Sequence, residues 1–251
     1  MRAWGRILPP AIAFVVGALM LEMAVRWSGV PSYLLPRPSA VCQTLVDDGS
    51  ELLAALWTTA REALIGFALS AIAGVLIALL LSSARWVQRA FYPYAVFFQT
   101  VPIIAIAPLL VIWFRFDLAV IVCAFIVSLF PMIANTLSGL LSTDPALRDL
   151  FRLYGAGRLS TMWKLRLPSA VPNILTGLRI SGGLAVIGAI VGEFIAGGGL
   201  GSVVDEARTQ QRTDKVFAAV LLASVLGLAL FGLINLMSWL TLRRWHASEQ
   251  D

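Results

Sequence analysis

The stretch LRDLFRLYGAGRLSTMWKLRLPSAVPN, residues 147–173, sets five basic residues and two helix-like fragments between long apolar runs. What surrounds it decides the fold. The chain has 251 residues, of which 59% are hydrophobic and 13% charged, a composition outside the usual range for a soluble domain. A bilayer is therefore the default environment.

Apolar runs lie at about 7–25, 63–84, 90–114, 118–140, 174–196 and 216–240. Each can cross roughly 30 Å of hydrocarbon as a helix at about 1.5 Å per residue, whereas barrel strands are shorter and alternate in polarity. The expected architecture is an all-α, polytopic bundle of six transmembrane helices in a single domain, 1–251. The first run follows Arg2 and Arg6, stays apolar up to Glu22 and lacks a small-residue cleavage site, so it reads as a retained helix and not a secretory signal. Only Arg115–Asp117 divides the third and fourth runs, which requires a turn at Phe114–Asp117.

With both termini cytoplasmic, the inner side carries Arg2, Arg6, Arg85, Arg89, Arg148, Arg152, Arg158, Lys164, Arg166, Arg243 and Arg244. The outer side carries Arg26, Arg37, Arg61, Arg115, Arg208, Arg212 and Lys215, so the eleven-to-seven bias places residues 147–173 inside. The net charge of +5 follows this topology and forms no basic stripe with interleaved aromatics, which argues against nucleic acid. Cys42 and Cys123 make no disulfide framework; one histidine, His246, rules out the usual zinc spacings. "GGGLGS", 197–202, lacks the Lys-Ser/Thr of a phosphate loop, and no serine, base and acid constellation is present.

Within the third run, Pro93, Pro102 and Pro108 interrupt the helix, which fits packing inside a bundle or lining a path. Gly66, Ser70, Gly74, Gly177, Gly182, Gly183 and Gly188 permit close helix contacts. Residues 31–40 carry three prolines and read as an irregular lead-in; Leu52, Leu53, Leu56 and Trp57 then suit an amphipathic helix lying on the membrane before the second span. Residues 197–215 read as a glycine-rich turn followed by a polar segment.

Intramembrane polar groups are costly and few. Glu193 either lines the path, pairs with an outer base such as Arg208, or ends its helix at the interface. Arg179, expected near the inner end of the fifth span, either snorkels or bonds the carbonyls of the preceding loop. Glu22 sits near the outer end of the first run and reads as interfacial. Gln99 and Asn135 either bond across helices or face a pathway. Gln99, Pro102, Pro108, Asn135 and Glu193 are the candidate path residues.

Asp144 is a plausible N-cap with Pro145 at the first helical position, followed by Leu147, Leu150, Phe151 and Tyr154 at helical spacing. Gly155 and Gly157 break that helix. Ser160 then suits the cap of a second helix carrying Met162, Trp163, Leu165 and Leu167, which Pro168 would stop. Helices so short gain stability by packing against something: their own bundle, or a cytoplasmic partner whose groove takes the apolar face.

The stretch resembles the EAA motif of ABC importer permeases, in which Glu-Ala-Ala, three residues, Gly, nine residues and Ile-X-Leu-Pro follow in order. Asp149, Leu150 and Phe151 occupy the Glu-Ala-Ala positions, Gly155 the glycine, and Leu165, Arg166, Leu167 and Pro168 the closing group. The spacing matches throughout, while Leu150 and Phe151 replace small residues. Residues 35–41, 102–114, 167–180 and 193–201 are similar to segments of nitrate, sulfonate, taurine and thiamine-precursor permeases; "WFRFD", 113–117, departs from the family's usual glycine-containing turn.

The resemblance implies a bacterial inner-membrane permease acting as a pair, most simply a homodimer. It implies two cytoplasmic ABC ATPase subunits on the coupling segment 144–168 and an extracytoplasmic binding protein delivering solute. Asp149, Leu150, Phe151, Tyr154, Gly155, Trp163, Leu165, Leu167 and Pro168 would form the coupling contact. No cofactor or metal would be bound by this chain, ATP and Mg belonging to the partner ATPase. The implied cargo is a vitamin-like heterocycle such as riboflavin or a thiamine pyrimidine, with sulfonate, taurine or nitrate as the alternative. An anion would favour basic residues along the path, where Arg179 is the sole candidate. A more distant reading is a membrane scaffold that only recruits a partner.

Overall fold

The computed structural model describes residues 4–242. Arg2, Arg243, Arg244 and His246 lie outside the described residues. Helices α1 (Trp4–Ser28), α2 (Pro38–Asp47), α3 (Gly49–Ser82), α4 (Arg85–Thr100), α5 (Ile103–Trp113) and α6 (Phe116–Leu141) precede the opening stretch. That stretch forms α7 (Pro145–Leu153), α8 (Arg158–Thr161) and a π-helical turn (Met162–Arg166), and is followed by α9 (Leu167–Ala196), α10 (Gly199–Thr209) and α11 (Thr213–Leu242). The chain is an all-α membrane bundle.

Among the described residues, α3, α6, α11 and the continuous helix Arg158–Ala196 are long and apolar enough to cross a membrane. α4 and α5 are long and apolar enough to cross only when taken together, and they bend by 94° at their junction, the geometry of a broken span or a re-entrant loop. The third run, expected to be interrupted by prolines, is thus two arms, because Pro102 supplies no amide hydrogen and starts α5 from an extended conformation. α1 covers the expected first run, so a count of six requires both α1 and the bent pair to cross once. The turn between α5 and α6 falls at Phe114 and Arg115, as expected.

Three expectations are corrected. The surface helix over Leu52–Trp57 does not exist separately: α3 runs without a break from Gly49, with Leu52 and Ala55 packed on Leu200, Val203 and Ala218. Nothing between residues 57 and 63 breaks a helix, so the span extends well beyond the hydrocarbon length. Residues 199–209 form a helix instead of a polar loop, despite their glycines. Pro168, finally, stops nothing, and Gly157 instead of Ser160 caps α8. The amide of Leu167 donates to the Met162 carbonyl five residues back, and Ser169 Oγ donates to the Leu165 carbonyl at 2.8 Å. This wider turn takes up the proline, and the helix continues into the membrane.

That continuity sets Arg179 within one long helix. At about 1.5 Å per residue it lies about 18 Å along α9 from Leu167 and about 26 Å from Ala196.

α6 and α9 form the centre, with α3 against both. Contact is close because glycines face backbone: a Cβ on Gly188 would stand 2.8 Å from Ala124 Cα, and one on Gly66 2.8 Å from the Ile121 carbonyl. Gly74 and Gly182 are equally tight, as is Gly139, while Gly177 and Gly192 stand a few tenths of an ångström looser; sequence spacing did not single out Gly139 or Gly192, and Gly183 meets open space. A polar clasp crosses the three helices, with Ser70 Oγ 2.8 Å from Ser128 Oγ and Ser181 Oγ donating to the Ser128 carbonyl at 2.7 Å. α1 packs mainly through α2, where Glu22 bonds Arg26 at 2.8 Å and accepts from the Ser39 amide at 3.0 Å. A carboxylate there complements the positive end of the α2 dipole.

Candidate coupling surface and path

At one end of the bundle the opening stretch folds as capping chemistry dictates. Asp144 accepts the Ala146 amide at 2.8 Å, with Pro145 at the first helical position. At the other terminus of α7, Gly155 takes φ +69°, its amide donating to the Arg152 carbonyl while that of Ala156 reaches Phe151, both at 2.9 Å. These two bonds close a Schellman turn, which needs a left-handed residue at that position.

The coupling candidates divide in two. Leu147, Leu150, Tyr154 and Trp163 are exposed, together with Asp149, which lies 3.6 Å from Arg152. Leu165 is buried, and Leu167 and Pro168 are half-buried, Leu167 packing under Leu137 and Leu140. Phe151 is half-buried on α7. Two exposed apolar residues were missed, Leu153 at 85% and Leu159 at 73% exposure; Leu153 could have been found as the residue that completes the α7 face at three-residue spacing from Leu150.

Arg166 was read as a topology signal and as the variable position of the motif's closing group, with no contact of its own assigned. It donates from Nε to the Leu140 carbonyl at 3.0 Å and from Nη1 to the Ser82 carbonyl at 3.2 Å. One guanidinium thereby satisfies terminal carbonyls of α6 and α3 and ties the π turn to both.

The path candidates fall in different surroundings. Gln99, Pro102 and Pro108 are exposed on the bent pair α4–α5. Asn135 donates from Nδ2 to the Pro131 carbonyl at 2.8 Å and packs against Gly177 at the α6–α9 contact. Glu193 is completely buried at the opposite end. Its Oε2 accepts from Thr59 Oγ1 at 3.0 Å and from the Gly201 amide at 2.8 Å, while Thr59 Oγ1 accepts the Leu200 amide at 2.9 Å. Glu193 therefore joins α3 and α9 to the N-terminus of α10, and it does not pair with Arg208, which bonds Asp205 at 2.8 Å. Gly199, at φ +60°, leaves no room for a side chain beside that carboxylate. The same end carries an ionic cluster: Arg212 meets Asp48 and Lys215 meets Glu51, each at 2.7 Å. The hydrogen bond with Asp48 holds the Arg212 guanidinium above the usual arginine range.

Between α4 and α6, beside the coupling end, an open groove of about 480 Å³ is lined by Gln88, Tyr92, Leu137, Ser138 and Ser142. No group of His, Cys, Asp and Glu that would hold a metal occurs among the described residues.

A polytopic apolar bundle with an exposed apolar helical knob at one end and a bent, proline-broken helix pair defines an integral membrane subunit. The chain belongs to the family described as the binding-protein-dependent transport system inner membrane component, matched over residues 66–238. It is 37% identical to the formylaminopyrimidine transport permease protein of Halalkalibacterium halodurans, over 91% of this chain and 92% of that one. It is 30% identical to a putative aliphatic sulfonates transport permease protein of Bacillus subtilis, over 88% and 80% respectively. A chain of an amino acid ABC transporter crystallised with histidines shares the fold at a TM-score of 0.67 and 17% identity, covering 78% of this chain and 96% of that chain. This protein is a multi-pass ABC importer permease and not itself an enzyme; ATP hydrolysis belongs to a separate subunit.

Proposed function

We propose that this permease imports a small heterocycle of the thiamine-precursor class, working as a homodimer with two ATPase subunits and an extracytoplasmic binding protein. Likeness over nine-tenths of both chains to a formylaminopyrimidine permease carries the substrate reading. Import of an aliphatic sulfonate is the second reading, favoured by the 30% identical relative.

In this reading the α7 end is cytoplasmic, as are both termini. Leu147, Leu150, Leu153, Tyr154, Leu159 and Trp163 enter a groove on the ATPase, while Arg166, Leu165 and Leu167 pass its motion to α3, α6 and α9. Closure of the ATPase dimer would then switch the path between outward- and inward-facing states. The path runs between two copies, bounded in each by the bent α4–α5 pair, with Gln99, Pro102 and Pro108 on it. Asn135 and Glu193 hold helices around it.

Reconstitution with a cognate ATPase and binding protein tests this reading. Formylaminopyrimidine should stimulate ATP hydrolysis more than alkanesulfonates or nitrate do. Stimulation by sulfonate alone would move the assignment to the second reading. No stimulation by any of them, with no ATPase retained on the permease, would overturn the importer.

A further inference from the structure

The groove between α4 and α6 is walled by one face of each helix. Gln88 and Tyr92 stand one turn apart on α4, and Ala134, Leu137, Ser138, Leu141 and Ser142 recur at three- and four-residue spacing along α6 and its C-cap. The three apolar residues make a floor, while the four polar ones contribute an amide and three hydroxyls. Its volume of about 480 Å³ lies in the range of small-molecule sites, about 300–1,000 Å³. None of the lining residues carries a charge at neutral pH; Arg85 and Arg89 of α4 are exposed and are not part of the wall.

These polar groups are unspent. The Gln88 side chain and the Tyr92 and Ser138 hydroxyls make no hydrogen bond among the described residues. Ser142 gives its proton to the Gly139 carbonyl at 3.0 Å and so keeps its lone pairs as acceptors. The half-buried Tyr92 ring is held by packing on the cluster of Leu137 and Ala170 and by Phe130, with 6.5 Å between ring centres. The walls are held too, because Arg166 joins the Ser82 carbonyl, just before α4, to the Leu140 carbonyl at the end of α6. A groove whose walls are already fixed loses little freedom when a ligand enters.

We propose that this groove is a binding site for an uncharged planar solute rich in donors and acceptors, the transported heterocycle itself. This rests on the thiamine-precursor reading above and adds to it the residues beside the coupling segment that hold the solute. A pyrimidine carrying amino and formyl groups has ring nitrogens and a carbonyl that accept from Gln88, Tyr92 and Ser138, and N–H groups that donate to Ser142 and to the Gln88 carbonyl. Its flat faces suit the Leu137 and Leu141 floor and the Tyr92 ring. An alkanesulfonate finds donors there but no counter-charge, so the groove separates the two substrate readings.

The test uses the complex of permease and ATPase in detergent, without binding protein, titrated with formylaminopyrimidine or propanesulfonate. Wild type should bind the heterocycle, and Gln88→Ala together with Ser138→Ala should raise its Kd by about tenfold or more at an unchanged unfolding midpoint. No binding by wild type, an unchanged Kd in the double variant, or propanesulfonate that competes with the heterocycle would overturn the proposal. A second measurement places Ser138→Cys in a chain carrying Cys42→Ser and Cys123→Ser. Formylaminopyrimidine should slow the reaction of that thiol with a maleimide. Absence of protection at saturating solute overturns the site, as does a disulfide joining two copies through the thiol, which would put a second copy in the groove. In proteoliposomes with the binding protein added, uptake of the heterocycle alongside an unchanged Kd in the double variant overturns this site alone. Uptake of propanesulfonate in its place overturns the substrate class, and thiol protection by the heterocycle then decides on the groove by itself.

Discussion

At the α10 end of the bundle, Arg26, Arg61, Arg208, Arg212 and Lys215 each lie beside an acid of the same chain; at the α7 end only Arg152 does so among the described residues. The α10 end also buries Glu193 and Thr59, and both ends expose large apolar side chains, Trp27, Leu53 and Trp57 at one and Leu153, Leu159 and Trp163 at the other. The ends therefore differ in charge. One pairs these bases with acids of the same chain, and the other leaves positive charge open beside apolar surface, which is the chemistry of a docking face with a charged rim.

The sharpest break of this contrast is at Glu193. Glu193→Ala should remove the carboxylate that accepts the Thr59 hydroxyl and the Gly201 amide, leaving the buried Gly201 amide unmet while Thr59 turns to the Ala55 carbonyl, at a cost of about 2–3 kcal/mol. Thermal unfolding in detergent measures it, and an unchanged midpoint would mean that this end is not locked by its buried network. On the α7 end, Leu153→Asp should leave that midpoint unmoved within about 0.5 kcal/mol, because the side chain touches little. It should instead weaken copurification of the ATPase by about tenfold. Retention at the wild-type level would show that α7 is an ordinary loop helix.

Gly155 comes next. At φ +69° any side chain is strained, and Gly155→Val should cost about 1–2 kcal/mol locally and open the Schellman turn while membrane insertion remains intact. The expected readout is ATP hydrolysis no longer tied to uptake; wild-type uptake would sink the idea that this turn transmits motion.

Much of this end was legible because its signals are local. Asp144, Pro145 and Gly155 each state a backbone requirement through their own chemistry, and all three hold. Pro168 misled for the same reason: read locally it ends a helix, but a π turn and the Ser169 hydroxyl absorb it. α10 was illegible because Gly199 and Gly201 argue against a helix on propensity. They are instead needed where α10 abuts Glu193, a contact between residues joined only by the fold. Arg166 escaped for a related reason, its acceptors lying 26 and 84 residues away.

The smallest effect belongs to the ionic cluster, and it refines the comparison most. Asp48 and Arg212 are partly exposed, so their 2.7 Å bond should contribute less than about 1 kcal/mol and fall with added salt. Lys215 is nearly buried, however, and meets both Glu51 and Asp48. Asp48→Asn should therefore lower stability by about 0.5–1 kcal/mol at low ionic strength and by much less in 1 M salt. Glu51→Gln should retain a larger part of its loss, because it strips the nearer partner from a base that salt reaches poorly. Equal salt sensitivity for the two variants would mean that the whole cluster is a solvated surface network. The rigidity of the α10 end would then rest on Glu193 and Thr59, a joint inside the bundle that no counterion enters.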